Sequence, residues 1–291
     1  MKKFSNLSIG TANFNNQYGK YKKTSISNFQ QENMLAKAWD YGFKFIDTAI
    51  GYKGVHQSLS NLNSFINNDW KLTTKIPPLK TEISKDKVNS WVSALIDESL
   101  NDLKVNKLNS VLIHDPSIES RPQELEYTLL ALDSACERGL IENYGISLYG
   151  PIKNNILKDY ILNKESFIIQ GPMNIFDRRM EDLTSSKYKN LKFEARSIFL
   201  QGMLLNLNMF EKYFGNIAEI RKFKRWIKKT NLNPIEACIS FAKFSNADKI
   251  VIGFGNTDEI ISFSKIFEII DDYNPPIFCD DENIINPLNW T

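Results

Sequence analysis

The side chains that could do chemistry stand at the ends of short apolar runs. Phe45-Ile46-Asp47 closes one run with a carboxylate, Thr73-Thr74-Lys75 another with an ammonium, and Leu112-Ile113-His114 a third with an imidazole. Tyr52 lies in the loop just after Asp47. Together these types can move a proton to or from an oxygen. A free tyrosine has a pKa near ~10, too high for an effective acid–base group at neutral pH. A neighbouring lysine favours the phenolate and lowers that value. A lysine withdrawn from water needs a counter-ion, which Asp47 can supply. Histidine can hydrogen-bond a substrate oxygen and orient its carbonyl. No side chain delivers a hydride, so a reduction built on this set draws it from a nicotinamide cofactor. Each residue also has a plainer reading: Tyr52 as a surface aromatic, Lys75 as a strand-end snorkel, His114 as a satisfied core residue, Asp47 as a cap.

For four such groups to meet, their runs must be strands of one sheet. Candidate strands fall at 7–12, 43–47, 70–75, 110–114, 143–147, 167–171, 193–197 and 249–253, several apolar on both faces as buried parallel strands are. Amphipathic stretches at 28–41, 86–103, 123–138, 234–245 and 257–270 lie between them. Strict strand–helix alternation over eight units predicts an α/β fold, a single (β/α)8 TIM barrel, with functional groups at the C-terminal ends of the strands. The alternative is an open doubly wound sheet, but Gly10-Thr11-Ala12-Asn13 after the first strand is not the GxGxxG of a dinucleotide fold. Residues 200–232 are long for a connection. They contain a basic helical piece with Arg221, Lys222, Lys224, Arg225, Lys228 and Lys229, which reads as a solvated face, or more sharply as a lid or anion-binding element.

Bulk properties limit the partners. In 291 residues, 42% are hydrophobic and 24% charged, with a formal net charge of +2. That balance suits a folded core and offers no strong field for nucleic acid or an anionic membrane. Cys136, Cys238 and Cys279 are scattered and form no CxxC pair, so neither a disulfide framework nor a zinc site is expected. Met1-Lys2-Lys3 is followed by no apolar segment, so no signal peptide is read, and the cytoplasm is the expected location. A small-molecule substrate is expected; the oligomeric state is open.

The ordered set of motifs resembles the aldo-keto reductase superfamily. It runs through Ile9-Gly10-Thr11-Ala12, Phe45-Ile46-Asp47-Thr48-Ala49 with Tyr52, Thr74-Lys75 and Leu112-Ile113-His114-Asp115-Pro116. It continues through Tyr144-Gly145-Ile146-Ser147, Ile169-Gln170-Gly171-Pro172-Met173-Asn174 and the segment from Arg196 to Gly202. The resemblance implies a catalytic tetrad of Asp47, Tyr52, Lys75 and His114, with Tyr52 the general acid in carbonyl reduction. It implies NADPH or NADH as cofactor. Contacts would come from Thr11 in the opening motif, from Ser147 and Gln170 to the carboxamide, from Arg196, Ser197 and Phe199 along the nicotinamide and pyrophosphate, and from Gly253 to Asn256 before the last helix, whose N–H groups suit a phosphate. The opening segment, with Tyr18-Gly19, and the stretch from Arg196 to Gly202 look like a bacterial branch associated with surface-polysaccharide or nucleotide-sugar pathways. A sugar-derived carbonyl is the substrate so suggested.

The chain also departs from that pattern. A Ser-Glu pair that often follows the tyrosine is absent from Tyr52-Lys53-Gly54-Val55-His56-Gln57-Ser58, which puts the support of that loop in question. His56 is expected at the surface. Leu148 stands where an Asn is common, and Arg196 where a tyrosine often stacks on the nicotinamide. Asp115 is expected to cap a turn. Lys249 is placed ahead of the last strand, pointing away. Asp258 and Glu259 at the start of the last helix would repel a 2′-phosphate, which predicts weakened NADPH preference and use of NADH. Two further readings stay open: a nucleotide-binding barrel that senses or regulates with little turnover, and a lyase or isomerase working without nicotinamide.

Overall fold

The computed structural model describes residues 4–15, 26–79, 84–114, 116–164, 166–185 and 190–290. Asp115, Tyr18 and Gly19, singled out from the sequence, lie outside the described residues.

Eight parallel strands close into a barrel: β1 (Leu7–Gly10), β2 (Phe45–Asp47), β3 (Lys71–Ile76), β4 (Leu108–Ile113), β5 (Ile141–Ser147), β6 (Phe167–Pro172), β7 (Leu191–Arg196) and β8 (Lys249–Gly253). They lie side by side in chain order, and β8 returns to pair with β1, Ile252 opposite Ile9 and Gly253 opposite Gly10. The expected TIM barrel is therefore the observed one, and the open doubly wound sheet is excluded.

Local chemistry explains the helices that buttress it. Asn28–Tyr41 starts at a capping box: the Ser27 hydroxyl accepts from Gln30 N–H, and the Gln30 side chain accepts from Ser27 N–H. It stops at Gly42, whose φ of 96° is left-handed and suits glycine. Pro234–Phe244 uses a second box, Asn233 with Glu236, and places proline in its first turn. Met34, Leu35 and Ala38 of the first helix, and Phe263 and Phe267 of Thr257–Ile269, are buried in the shell between helices and barrel.

Period-two alternation decides what fills the barrel interior. Asp47 on β2 and Gln170 on β6 bond directly, though their strands are not neighbours, so both side chains cross the interior. The Lys249 ammonium of β8 likewise lies 4.1 Å from the Phe45 ring of β2. Lys249 is thus the first residue of β8 and buried inside, which corrects its expected outward placement.

Residues 200–232, the long connection after β7, include the basic helix read at 217–229. They form a 3-10 turn Leu200–Leu205 and helices Leu207–Phe214 and Ala218–Thr230. The latter buries Ile220 and Phe223, while Arg221, Lys222, Arg225, Lys228 and Lys229 face solvent and Lys224 pairs with Glu211 at 2.7 Å. The tail after Asp271 is strapped to the barrel. Arg178 donates to Pro275 O at 3.0 Å, Cys279 N–H donates to Phe176 O at 2.9 Å, and Arg179 pairs with both Asp177 and Glu282. Among the described residues no helix is long and apolar enough to cross a membrane, and no cluster of His, Cys, Asp and Glu could hold a metal.

Candidate active site

The C-terminal rim of the barrel gathers the groups picked from the sequence. Lys75 reaches Asp47 Oδ1 at 2.5 Å and donates to Thr48 O at 3.1 Å. Both charges are nearly closed to water, and pairing is what makes such burial tolerable. The Lys75 ammonium sits 5.7 Å from the Tyr52 ring centroid, and the Tyr52 and His114 rings meet edge to face at 5.6 Å. The backbone sets this up. Ile50 N–H donates to Lys75 O at 3.1 Å, His114 N–H donates to Ile76 O at 2.9 Å, and Tyr52 N–H closes a turn onto Ala49 O at 3.0 Å. Tyr52 and His114 are half-buried, so both keep an accessible face.

A cleft of about 590 Å³ opens beside them. Asp47 and Tyr52 form part of its wall, together with Gln170, Arg196, Ser197, Phe199, Gly253 and Asn256. Lys75, His114, Thr11 and Ser147 do not line it. Lys75 lies beneath Asp47, and His114 lies against Tyr52. Thr11 is fully buried with its hydroxyl donating to Asp47 O at 3.0 Å, so it braces the carboxylate's backbone. Ser147 is buried at the end of β5, in register with Gln170.

Several departures find their explanation here. His56 is buried in the short helix Val55–Leu59, and its Nε2 lies 3.1 Å from the Thr74 hydroxyl, one residue before Lys75. The expected surface position is wrong: Val55 and Leu59 pull the helix inward, and the imidazole comes with it. Burial lowers the His56 pKa to about 4, against a small opposing pull from Asp102. Ser58 donates to Gln31 Oε1 at 2.7 Å, and Gln31 donates to Ile26 O at 2.7 Å. The segment after Tyr52 is held by these bonds without a Ser-Glu pair. The Arg196 guanidinium lies 4.7 Å over the Tyr149 ring and donates to Leu148 O at 2.8 Å, so its plane is spent on that tyrosine.

After β7 the chain is strained. Ser197, Leu200 and Gln201 have φ of 57°, 48° and 52°, left-handed values that cost non-glycine residues on the order of 1–3 kcal/mol each. Asn174 steadies the turn by donating to Ser197 O at 3.1 Å. At the start of Thr257–Ile269, Asn256 accepts from Glu259 N–H at 2.9 Å and the Glu259 carboxylate accepts from Gly255 N–H at 2.7 Å. Two of the N–H groups read as phosphate donors are thus already satisfied, and Asp258 and Glu259 both face the cleft.

Sequence reasoning missed the polar chain under the cleft. Gln170 Nε2 donates to Asp47 Oδ2 at 2.7 Å and to Glu194 Oε2 at 3.1 Å, and Glu194 Oε1 pairs with Lys249 at 2.6 Å. Glu194 was hidden because its partner is 55 residues away. Burial pushes the thiols of Cys136 and Cys279 up to about 11, and that of Cys238 further, which favours the protonated form at neutral pH.

Comparison with known proteins agrees with this architecture. The glycerol dehydrogenase structure from Gluconobacter oxydans superposes with a TM-score of 0.68 at 18% identity, covering 90% of this chain and 86% of that one. An aldo-keto reductase from Bacillus halodurans, in holo form, gives 0.70 at 18% identity, covering 92% and 88%. At such identities the likeness is one of fold. The Bacillus subtilis protein described as uncharacterized oxidoreductase YqkF is 26% identical over 180 residues, 59% of this chain and 56% of that protein, so the match spans little more than half of the relative's length. The model of the aldo/keto reductase family matches residues 6–271, and with that match across nearly the whole barrel the chain belongs to the aldo/keto reductase family.

Proposed function

We propose that this protein is an NAD(P)(H)-dependent oxidoreductase that reduces an aldehyde or ketone to an alcohol, with Tyr52 as the proton donor. The observation that carries the reading is the meeting of Tyr52, His114 and the buried Lys75–Asp47 pair at one end of the barrel, beside a cleft. Lys75 bears on the Tyr52 phenol, favouring its anion and easing release of its proton. Asp47 holds the ammonium in place. His114, packed edge to face with Tyr52, orients the carbonyl oxygen toward the Tyr52 hydroxyl.

A nicotinamide nucleotide suits the cleft on two grounds. The wall includes both Gln170 and Ser262 of the helix Thr257–Ile269, and two buried acceptors on it, Gln170 Oε1 and Asn13 Oδ1, have no hydrogen-bond partner. Gln170, Arg196, Ser197, Phe199, Gly253 and Asn256 would hold it, with Ser147 and Thr11 supporting from behind. When bound, it supplies the hydride. Asp258 and Glu259 at the far end, with the nearby N–H groups already taken, favour NADH over NADPH. The acids disfavour a dianionic 2′-phosphate there. Fluorescence titration should give at least about tenfold tighter binding of NADH, a difference of roughly 1.4 kcal/mol. Equal or tighter NADPH binding would remove this part of the reading.

The substrate reading is a carbonyl compound, sugar-derived by the resemblance of the segment from Arg196 to Gly202. Residues 200–232 are proposed as a wall over it, since Gln201, Gly202 and Leu205 line the cleft. A sensing barrel with little turnover rests on the missing Ser-Glu pair and on Arg196 in place of a stacking tyrosine; His56, Thr74, Ser58 and Gln31 answer the first, and the meeting of Tyr52 with Lys75 argues against a pure binder. The deciding experiment is single-turnover oxidation of bound NADH by a panel of aldehydes and sugars. Tyr52→Phe should slow it by about 10²- to 10⁴-fold with nucleotide affinity kept. Unchanged turnover in that variant would overturn the proposal.

A further inference from the structure

Gln170 sits between two carboxylates, and that fixes more than its position. Its amide nitrogen lies 2.7 Å from Asp47 Oδ2 and 3.1 Å from Glu194 Oε2, while its oxygen is buried and unpartnered. A primary amide has two N–H donors and one acceptor oxygen. Ionised carboxylates only accept, so both N–H groups are committed. Turning the amide over would press its oxygen against two anions. Lys249, 2.6 Å from Glu194, supplies the counter-charge, and both side chains are nine-tenths buried or more. The charges alternate across the barrel: Lys249, Glu194, the bridging Gln170, Asp47, Lys75. A buried ion pair is weak evidence of stabilisation against an apolar pair of like volume. Stability alone therefore does not account for a second pair set behind Gln170.

We propose that Glu194, neutralised by Lys249, is a positioning residue that locks the Gln170 amide, so that Gln170 offers the cleft an acceptor and never a donor. The inference rests on the nicotinamide reading above. The ligand chemistry it selects is a neutral N–H donor, supplied by the carboxamide of a nicotinamide nucleotide. An analogue without that donor leaves Gln170 Oε1 buried and unpaired, a loss that binding registers strongly.

The test compares NAD⁺ with 3-acetylpyridine adenine dinucleotide, an analogue of the same charge with an acceptor oxygen but no N–H, by tryptophan fluorescence quenching on the full chain. The wild type should bind NAD⁺ about tenfold or more tightly than the analogue. In the double variant E194M/K249M one Gln170 N–H is released and only Asp47 still holds the amide, so the acceptor is less firmly aimed and the ratio should fall to about threefold or less. Affinity for ADP-ribose, which lacks the ring, should not move, and it reports intact folding. Should the double variant not fold, E194Q serves in its place, because a glutamine at 194 can donate or accept and no longer dictates the orientation. Gln170→Met should erase the discrimination. A ratio unchanged in E194M/K249M or E194Q, a ratio persisting in Gln170→Met, or no discrimination by the wild type would overturn the proposal. Binding of neither nucleotide by a wild type that still binds ADP-ribose would instead overturn the nicotinamide reading beneath it.

Discussion

At the scale of single residues, the site depends on charges and dipoles that are buried together. His56 shows how closely. Its ring is buried against Thr74, and burial holds its pKa near 4, below the ordinary 6.5. Above pH 6.5 the imidazole is neutral in folded and unfolded chains alike, and its contribution to stability is complete. Between pH 6.5 and 4 the unfolded chain takes up a proton that the folded chain refuses, so stability falls as pH falls. The full loss is about 3 kcal/mol. His56→Gln should flatten that part of the curve of unfolding free energy against pH, measured by urea titration; a limb of the same steepness in both proteins would refute the assignment. The residues found from sequence alone were those at strand ends whose types fit one chemistry: Asp47, Lys75, His114 and, in the loop, Tyr52. Glu194 and His56 were illegible because their meaning lies in partners from distant strands. A lone charge in β7 and a lone histidine in a polar loop look like surface until Lys249 and Thr74 are beside them.

At the scale of elements, boundaries were legible where capping chemistry is written locally. The helix at Asn28–Tyr41 is bracketed by Ser27 with Gln30 and by Gly42, and the sequence reading met it at both ends. The second strand begins two residues later than expected, because Phe43 N–H turns back to cap the preceding helix at Ala38 O. Between 200 and 232 the basic helix was legible, read at 217–229 and found at Ala218–Thr230, whereas the eight-residue Leu207–Phe214 was too short to show a repeat. Glycine at 145 marks a close approach between elements. A Cβ there would lie 1.8 Å from the Ile168 carbonyl oxygen, so β5 and β6 could not keep their pairing. Gly145→Ala should cost on the order of 3 kcal/mol or more of stability and displace Ser147 and Gln170 together. Chemical denaturation with a parallel nucleotide titration checks both; normal stability would show that the strands tolerate a methyl group.

At the scale of the whole molecule, barrel closure was readable from eight alternations, but the strapping of the tail was not. The region after Asp271 has no periodicity, and its anchors are the paired arginines at 178 and 179. Arg179 neutralises Asp177, which is fully buried, and reaches Glu282 in the tail. Arg179→Met leaves that carboxylate without its cation, which should cost about 3–5 kcal/mol. Limited proteolysis should then cut first beyond residue 271, before the barrel is attacked. Cleavage rates equal to wild type would argue against the strap.

The pairing of β8 with β1 has a consequence for synthesis. The chain leaves the ribosome with Asp47, Lys75 and Glu194 already made, yet the strand that seals the sheet, and the ammonium that answers Glu194, come only at 249–253. Until then Glu194 lacks the cation that pairs with it. A nascent chain arrested short of Lys249 would therefore lack both the closing strand and that cation, and the last sheet element to be translated is the one that completes the buried polar chain.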